Sequence, residues 1–186
     1  MKKLFNLFVI FTLLSISSAA FALDPKSATT KPAAAALPNG ASSLTETYGL
    51  WSINCGVQTG KKVCFMYRQE VNNQNRVVVA MNVVLNDDGM VSGNLVVPFG
   101  ILVSKPVRLQ VDDGKAVIET GIRTCETIGC VVPVAFDKNF VTALRAGKHL
   151  KLAMTTAMAG EPPLNDLFIQ LNGFSSALNR LTALLK

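Results

Sequence analysis

Arg123-Thr124-Cys125-Glu126-Thr127-Ile128-Gly129-Cys130-Val131-Val132-Pro133 carries two cysteines that enclose four residues, one of them a glycine. Apolar, β-branched segments lead in from Val117-Ile118 and out through Val131-Val132-Pro133-Val134. Strand-like runs on both sides of a short Gly-containing connection read as a hairpin or tight corner. A Cys125–Cys130 disulfide would lock that corner, with Lys115 to Arg123 and Val131 to Phe136 as its arms. The rest of the chain is read outward from this element.

At the N-terminus, Lys2 and Lys3 precede an almost wholly apolar run from Leu4 to Ile16, and Ala20-Phe21-Ala22 is a small-x-small cleavage site. This pattern predicts a secretory signal over 1–22. The apolar run is short for a membrane span and no stop-transfer pattern follows it, so no transmembrane segment is expected after cleavage. No cysteine sits just behind the cleavage site to take a lipid. The expected location is the periplasm, with outer-membrane association or secretion as alternatives. Loss of Lys2 and Lys3 lowers the formal net charge from +6 to +4. A charge of this size favours solubility and weak attraction to anionic surfaces. The basic residues are scattered and do not alternate with aromatics, which argues against a nucleic-acid partner.

All four cysteines, Cys55, Cys64, Cys125 and Cys130, lie behind the signal. An even number in an exported chain predicts two disulfides, with three connectivities open. Loop closure is worth roughly 2–3 kcal/mol for each short loop and roughly 4–5 for a crossed pairing that closes about 70 residues. Entropy thus favours the long loops, whereas local geometry and the ease of forming a nearby bond favour Cys55–Cys64 and Cys125–Cys130. The local pairing is the one expected here.

Residues 23–44 are mostly Ala, Pro, Ser, Thr and Lys without apolar periodicity, which predicts a disordered tether, and 45–186 suit a single domain. The β pattern is clear from Tyr48: Trp51, Ile53 and Cys55 alternate with Ser52 and Asn54, and Gln58-Thr59-Gly60-Lys61 turns into Val63, Phe65 and Tyr67. Arg76 to Leu85 is a valine-rich run suited to a central strand. Asp88-Gly89 and Asp113-Gly114 are hairpin-turn dipeptides. Pro98-Phe99-Gly100 and Lys105-Pro106 interrupt the section between them, where a bend is expected. A helix is predicted after Asp137, with Phe140, Val141 and Leu144 on one face and Gly147 at its end. The last helix runs from Phe174 to Leu185 with an apolar stripe. Many short strands between turn signals predict a mainly β fold, an antiparallel sandwich or open barrel with two small peripheral helices and two disulfides.

No catalytic constellation is visible, and neither a cofactor nor a metal site is expected. The single histidine, His149, opens a strand beside Lys148, and no cysteine pair has zinc spacing. Gly56-Val57-Gln58-Thr59-Gly60-Lys61 has three residues between its glycines where a phosphate loop needs four, and Lys62 follows where Ser or Thr is required. Asp87-Asp88 and Asp112-Asp113 are each followed by Gly, and turn chemistry accounts for them. The Cys125–Cys130 spacing is longer than the Cys-x-x-Cys of redox-active pairs at helix starts, so a structural disulfide is expected. Arg123 is the charged residue to watch. It is read either as a strand-edge arginine bonded to backbone or a nearby acid, or as a partner-binding anchor.

Three stretches together resemble the invasion-associated locus B family of bacterial exported proteins. They are Tyr48-Gly49-Leu50-Trp51-Ser52-Ile53-Asn54-Cys55 with Cys64-Phe65-Met66, then Pro98 to Val103 with Val107 to Lys115, and the cysteine hairpin with Ala143 to Lys148 and Gly173-Phe174-Ser175. The resemblance covers the chain from Tyr48 onward. It departs from that family's pattern at Leu50, where an acidic residue is usual, and at Gly121-Ile122, where Pro-Phe is common. It implies a small β-rich periplasmic or surface-associated domain and a contribution to host-cell invasion, without catalytic residues to carry over. The expected function is therefore non-enzymatic binding of an envelope protein, an envelope polymer or a host surface. The competing expectation is an envelope thiol–disulfide or stress-linked factor using Cys125 and Cys130, and a third is a chaperone-like factor that pairs a strand edge with a client.

Overall fold

The computed structural model describes residues 37–186, so the expected signal over 1–22 and most of the expected tether over 23–44 lie outside the described residues. Alternation of apolar and polar side chains builds two antiparallel sheets from the strands. In chain order the strands are β1 (Ser43–Tyr48), β2 (Trp51–Gln58), β3 (Lys61–Val71), β4 (Val77–Leu85), β5 (Val91–Val97), β6 (Val107–Val111), β7 (Val117–Thr120), β8 (Thr124–Glu126), β9 (Gly129–Phe136), β10 (His149–Met154) and β11 (Leu164–Gln170). Seven form one sheet in the order β1-β2-β3-β4-β5-β9-β8, and four form the other in the order β11-β10-β6-β7. Neither sheet closes into a barrel, so the arrangement is a β-sandwich.

The two inner faces share one core. Trp51, Ile53, Met66, Met81, Leu95 and Val132 from the larger sheet and Leu109, Leu150, Leu152 and Ile169 from the smaller one are all at most 1 % exposed or fully enclosed. Trp51 fills the core as its alternation implies. Its ring meets Phe174 edge to face at 5.1 Å, and its Nε1 donates to the Gln170 carbonyl at 3.0 Å. The first helix, α1 (Lys138–Ala146), is capped by Asp137, whose carboxylate accepts the Phe140 N–H at 2.7 Å. The second, α2 (Phe174–Leu185), buries Phe174, Ala177, Leu178, Leu181 and Leu184 against β1, β2, β3 and α1. Its entry needs glycine at 173. The φ there is +92°, and a Cβ would stand 1.8 Å from the Tyr48 carbonyl oxygen.

Two sequence expectations are corrected. Of the two expected arms of the cysteine hairpin, Val131 to Phe136 is present within β9, whereas Lys115 to Arg123 is not an arm. Val117–Thr120 forms β7, which pairs with β6 in the smaller sheet, and the chain crosses between sheets at Gly121 to Arg123. Only Thr124–Glu126 pairs with β9. Periodicity carries no information about which sheet a strand joins, and so the run into Cys125 read as continuous. The β region also begins before Tyr48, at Ser43, and Leu37 is already in the core. β1 lacks a row of large apolar residues because it is an edge strand. It is held by pairing with β2 and by the Arg180 side chain, which forks onto Glu46 with both contacts at 2.7 Å.

Candidate binding surface

The two cysteine pairs sit in different surroundings. Cys55 and Cys64 are directly opposite on β2 and β3, form a disulfide with Cα atoms 4.1 Å apart, and are both buried. Cys125 and Cys130 are also directly opposite and disulfide-bonded, with Cα atoms 3.8 Å apart. Here Cys130 is buried while Cys125 is exposed. Glu126 pairs with Gly129, which leaves Thr127-Ile128 as a two-residue turn. Gly129 has φ +140°, and a Cβ would come within 2.5 Å of the Val97 carbonyl oxygen, so this close approach to β5 requires glycine.

That turn stands beside two other connections. Val97 pairs with Cys130, so the chain leaving β5 through Pro98-Phe99 runs alongside Gly129-Ile128. The same connection is then pinned to the loop after β10. Ile101 bridges to Thr156, the Leu102 N–H donates to the Thr155 carbonyl at 2.8 Å, and the Ala157 N–H donates to the Gly100 carbonyl at 2.8 Å. Three loops thus meet at one end of the sandwich. They carry Phe99, Val103, Ile128 and Met158, exposed by 59 %, 58 %, 74 % and 69 %. Single exposed apolar residues need no explanation, but several on adjoining, cross-braced loops make this end of the sandwich the candidate binding surface. Sequence reasoning found the hairpin and missed its neighbours, because what brings Phe99 and Met158 to it is the strand register. Only the apolar character of those loop residues was readable in advance.

Arg123 lies at the base of this hairpin, outside β8. Its backbone N–H donates to the Val131 carbonyl at 2.9 Å, its side chain is exposed, and its guanidinium has no hydrogen-bond or ion-pair partner among the described residues.

The remaining sequence candidates resolve into structural roles. His149 lies with Nδ1 3.8 Å from Asp112 Oδ1 and its ring edge-on to Phe168. Asp112 accepts the backbone N–H groups of Lys148 at 3.1 Å and His149 at 2.9 Å. Burial raises its pKa, but those two N–H donors outweigh burial and hold its carboxyl below the ordinary range. Asp113 pairs with Lys151 at 2.7 Å, and Asp88 accepts the Met90 N–H at 2.8 Å. Among the described residues no group of three or more His, Cys, Asp or Glu is placed to hold a metal, and no helix is long and apolar enough to cross a membrane.

Two polar networks were invisible in the sequence. Glu70 on β3 accepts from Arg68 Nε at 2.8 Å and Nη2 at 2.6 Å, and from the Gln170 backbone N–H at 2.8 Å and side-chain amide at 3.1 Å. It thereby ties the larger sheet to β11 of the smaller one. On β1, Glu46 accepts the Tyr48 hydroxyl at 2.8 Å as well as the Arg180 fork. The Arg180 guanidinium holds the Glu46 carboxyl below its usual range.

Comparison with known proteins follows this geometry closely. The family model described as "Invasion associated locus B (IalB) protein" matches residues 51–182, from the first core strand through most of α2. Over 186 residues the chain is 67 % identical to "Invasion protein B" of Bartonella bacilliformis, with all of both chains covered. It is 38 % identical over 157 residues to an "Invasion protein B homolog" of Brucella abortus, covering 82 % of this chain and 87 % of that one. Among solved structures, the crystal structure of invasion associated protein b from Bartonella henselae is similar with a TM-score of 0.75 and 84 % identity. That match covers 76 % of this chain and 97 % of the solved one.

Proposed function

The chain belongs to the invasion associated locus B family, and from that premise we propose that it works as an exported, non-enzymatic binding domain. Its partner is a protein of the bacterial envelope or of a host surface, and its binding contributes to invasion. The observation that carries this reading is that Phe99, Val103, Ile128 and Met158 are exposed on three adjoining loops, with the Arg123 guanidinium, unpartnered among the described residues, at the base of the hairpin. Apolar anchors flanked by an arginine are the composition of interface hot spots. The Cys125–Cys130 link and the Ile101–Thr156 bridge hold the loops in place before a partner arrives, which lowers the entropy lost on binding. An export signal over 1–22 places the domain in the periplasm, from which outer-membrane association or release is open to it.

In-cell photocrosslinking from positions 128 and 158, read by mass spectrometry, tests this. One discrete envelope or host protein captured from both positions, and lost in an Ile128→Asp/Met158→Asp variant, is the expected result. Equal capture of many envelope proteins by parent and variant would overturn the reading.

A further inference from the structure

A second site lies at the other end of the β4–β5 hairpin. Val91 lines it, whereas Phe99 of the loop surface lies beyond Val97, roughly 20 Å away at strand rise. Between that hairpin, α1 and α2 is a groove of about 840 Å³ with an apolar floor that includes Leu85, Met90, Val141 and Leu178. Leu85, Gly89 and Thr182 also line an adjoining groove of about 660 Å³, so the two share a wall. The second groove carries Lys61, Lys62 and Lys186, and Asp87 is its one acidic side chain. Volumes of this size are those of small-molecule sites.

We propose that this composite groove binds a single-chain anionic lipid, with the acyl chain on the apolar floor and the acidic headgroup at Lys61, Lys62 and Lys186. The direction of binding follows from the charges at the two ends. At the α1 end, Lys138 and Arg145 are balanced by Asp88 and Asp137, whose carboxylates accept the Met90 and Phe140 N–H groups. Arg145 there donates to Ser175 and to Asn179 Oδ1 at 2.8 Å. At the far end Lys186 carries an α-carboxylate beside its ammonium, whereas Lys61 and Lys62 have no ion-pair partner among the described residues, and an anionic headgroup would supply one. Met90, 47 % exposed, covers the lip with a flexible apolar side chain suited to a mobile chain. This inference is independent of the loop surface and of its partner.

The test is fluorescence titration of the full exported chain with cis-parinarate, a fluorescent fatty-acid anion. Saturable binding is expected, weakened about tenfold or more in Met90→Asp and in Lys61→Gln/Lys62→Gln, and unchanged in Phe168→Asp at a distant exposed position. The neutral methyl ester should bind at least about tenfold more weakly than the anion. Each variant is first checked for unchanged urea unfolding. Absence of saturable binding, equal affinity for the ester, or unchanged affinity in either groove variant overturns the proposal. So does sedimentation with phosphatidylglycerol vesicles without binding of free parinarate, which would assign the lysines to a bilayer surface.

Discussion

Replacing Glu70 with Gln should cost the fold about 2 kcal/mol, and replacing it with Ala about 3 kcal/mol. The side chain is 13 % exposed and accepts four hydrogen bonds, two from Arg68 and two from Gln170. A glutamine retains one acceptor oxygen, so one pair of donors survives while the other pair faces an amide NH2. Each lost bond to a charged group is worth roughly 1.5–3 kcal/mol, but Arg68 keeps some access to water at 17 % exposure and recovers part of the loss. In the alanine variant the Gln170 N–H loses its acceptor too, which is why that substitution costs more. Urea unfolding at neutral pH with both disulfides intact measures this as a shift in midpoint at unchanged slope. The pH dependence supplies a second check. Burial raises the Glu70 pKa, but the hydrogen bonds from Arg68 and Gln170 outweigh it, so the folded value lies below the ordinary one. The stabilisation is therefore fully present above the ordinary glutamate value and is lost as pH falls through the folded value, which lies below it. Parent and Glu70→Gln curves should converge on acidification. A loss under about 1 kcal/mol at pH 7, or a gap that widens as pH falls, would refute the view that this carboxylate staples the two sheets.

Other substitutions probe separate joints of the structure. Mild thiol reductant should open Cys125–Cys130 before Cys55–Cys64, because only Cys125 is exposed, and mass-resolved alkylation at graded reductant reads the order. Cys125→Ser/Cys130→Ser should cost about 2 kcal/mol by loop closure and leave in-cell function intact at permissive temperature; loss of function without loss of fold would favour the thiol–disulfide role. Gly173→Ala should cost more than about 4 kcal/mol, since its Cβ meets backbone that cannot yield, and poor recovery of folded protein with a lowered Tm is the readout. Arg180→Ala should lower the urea midpoint only slightly, because the Glu46 pair is partly open to water.

Much of this fold was legible because its signals are local. Trp51-x-Ile53-x-Cys55 and Val107-x-Leu109-x-Val111 announce their buried faces by alternation, and the structure buries those residues. Asp137 followed by Phe140 and Leu144 announces α1, and the cap bond is there. β1 was not legible, since Thr45, Glu46 and Thr47 take their strand conformation from pairing with β2. The candidate surface was half legible: the hairpin was readable from Cys125-x4-Cys130, whereas the neighbouring loops that carry Phe99 and Met158 were not.

By itself the sequence determined most of the strand segments behind Tyr48, their turns and the faces they bury, because these depend on neighbours within a few residues. It also determined the cysteine number and the absence of a local catalytic motif. Only the tertiary structure decided that β7 leaves the cysteine hairpin for the smaller sheet, that Glu70 reaches Gln170 a hundred residues away, and that the loops carrying Phe99, Ile128 and Met158 adjoin. Each of these depends on strand order and register. Those arise from packing the two inner faces against one another, and no short window of sequence encodes them.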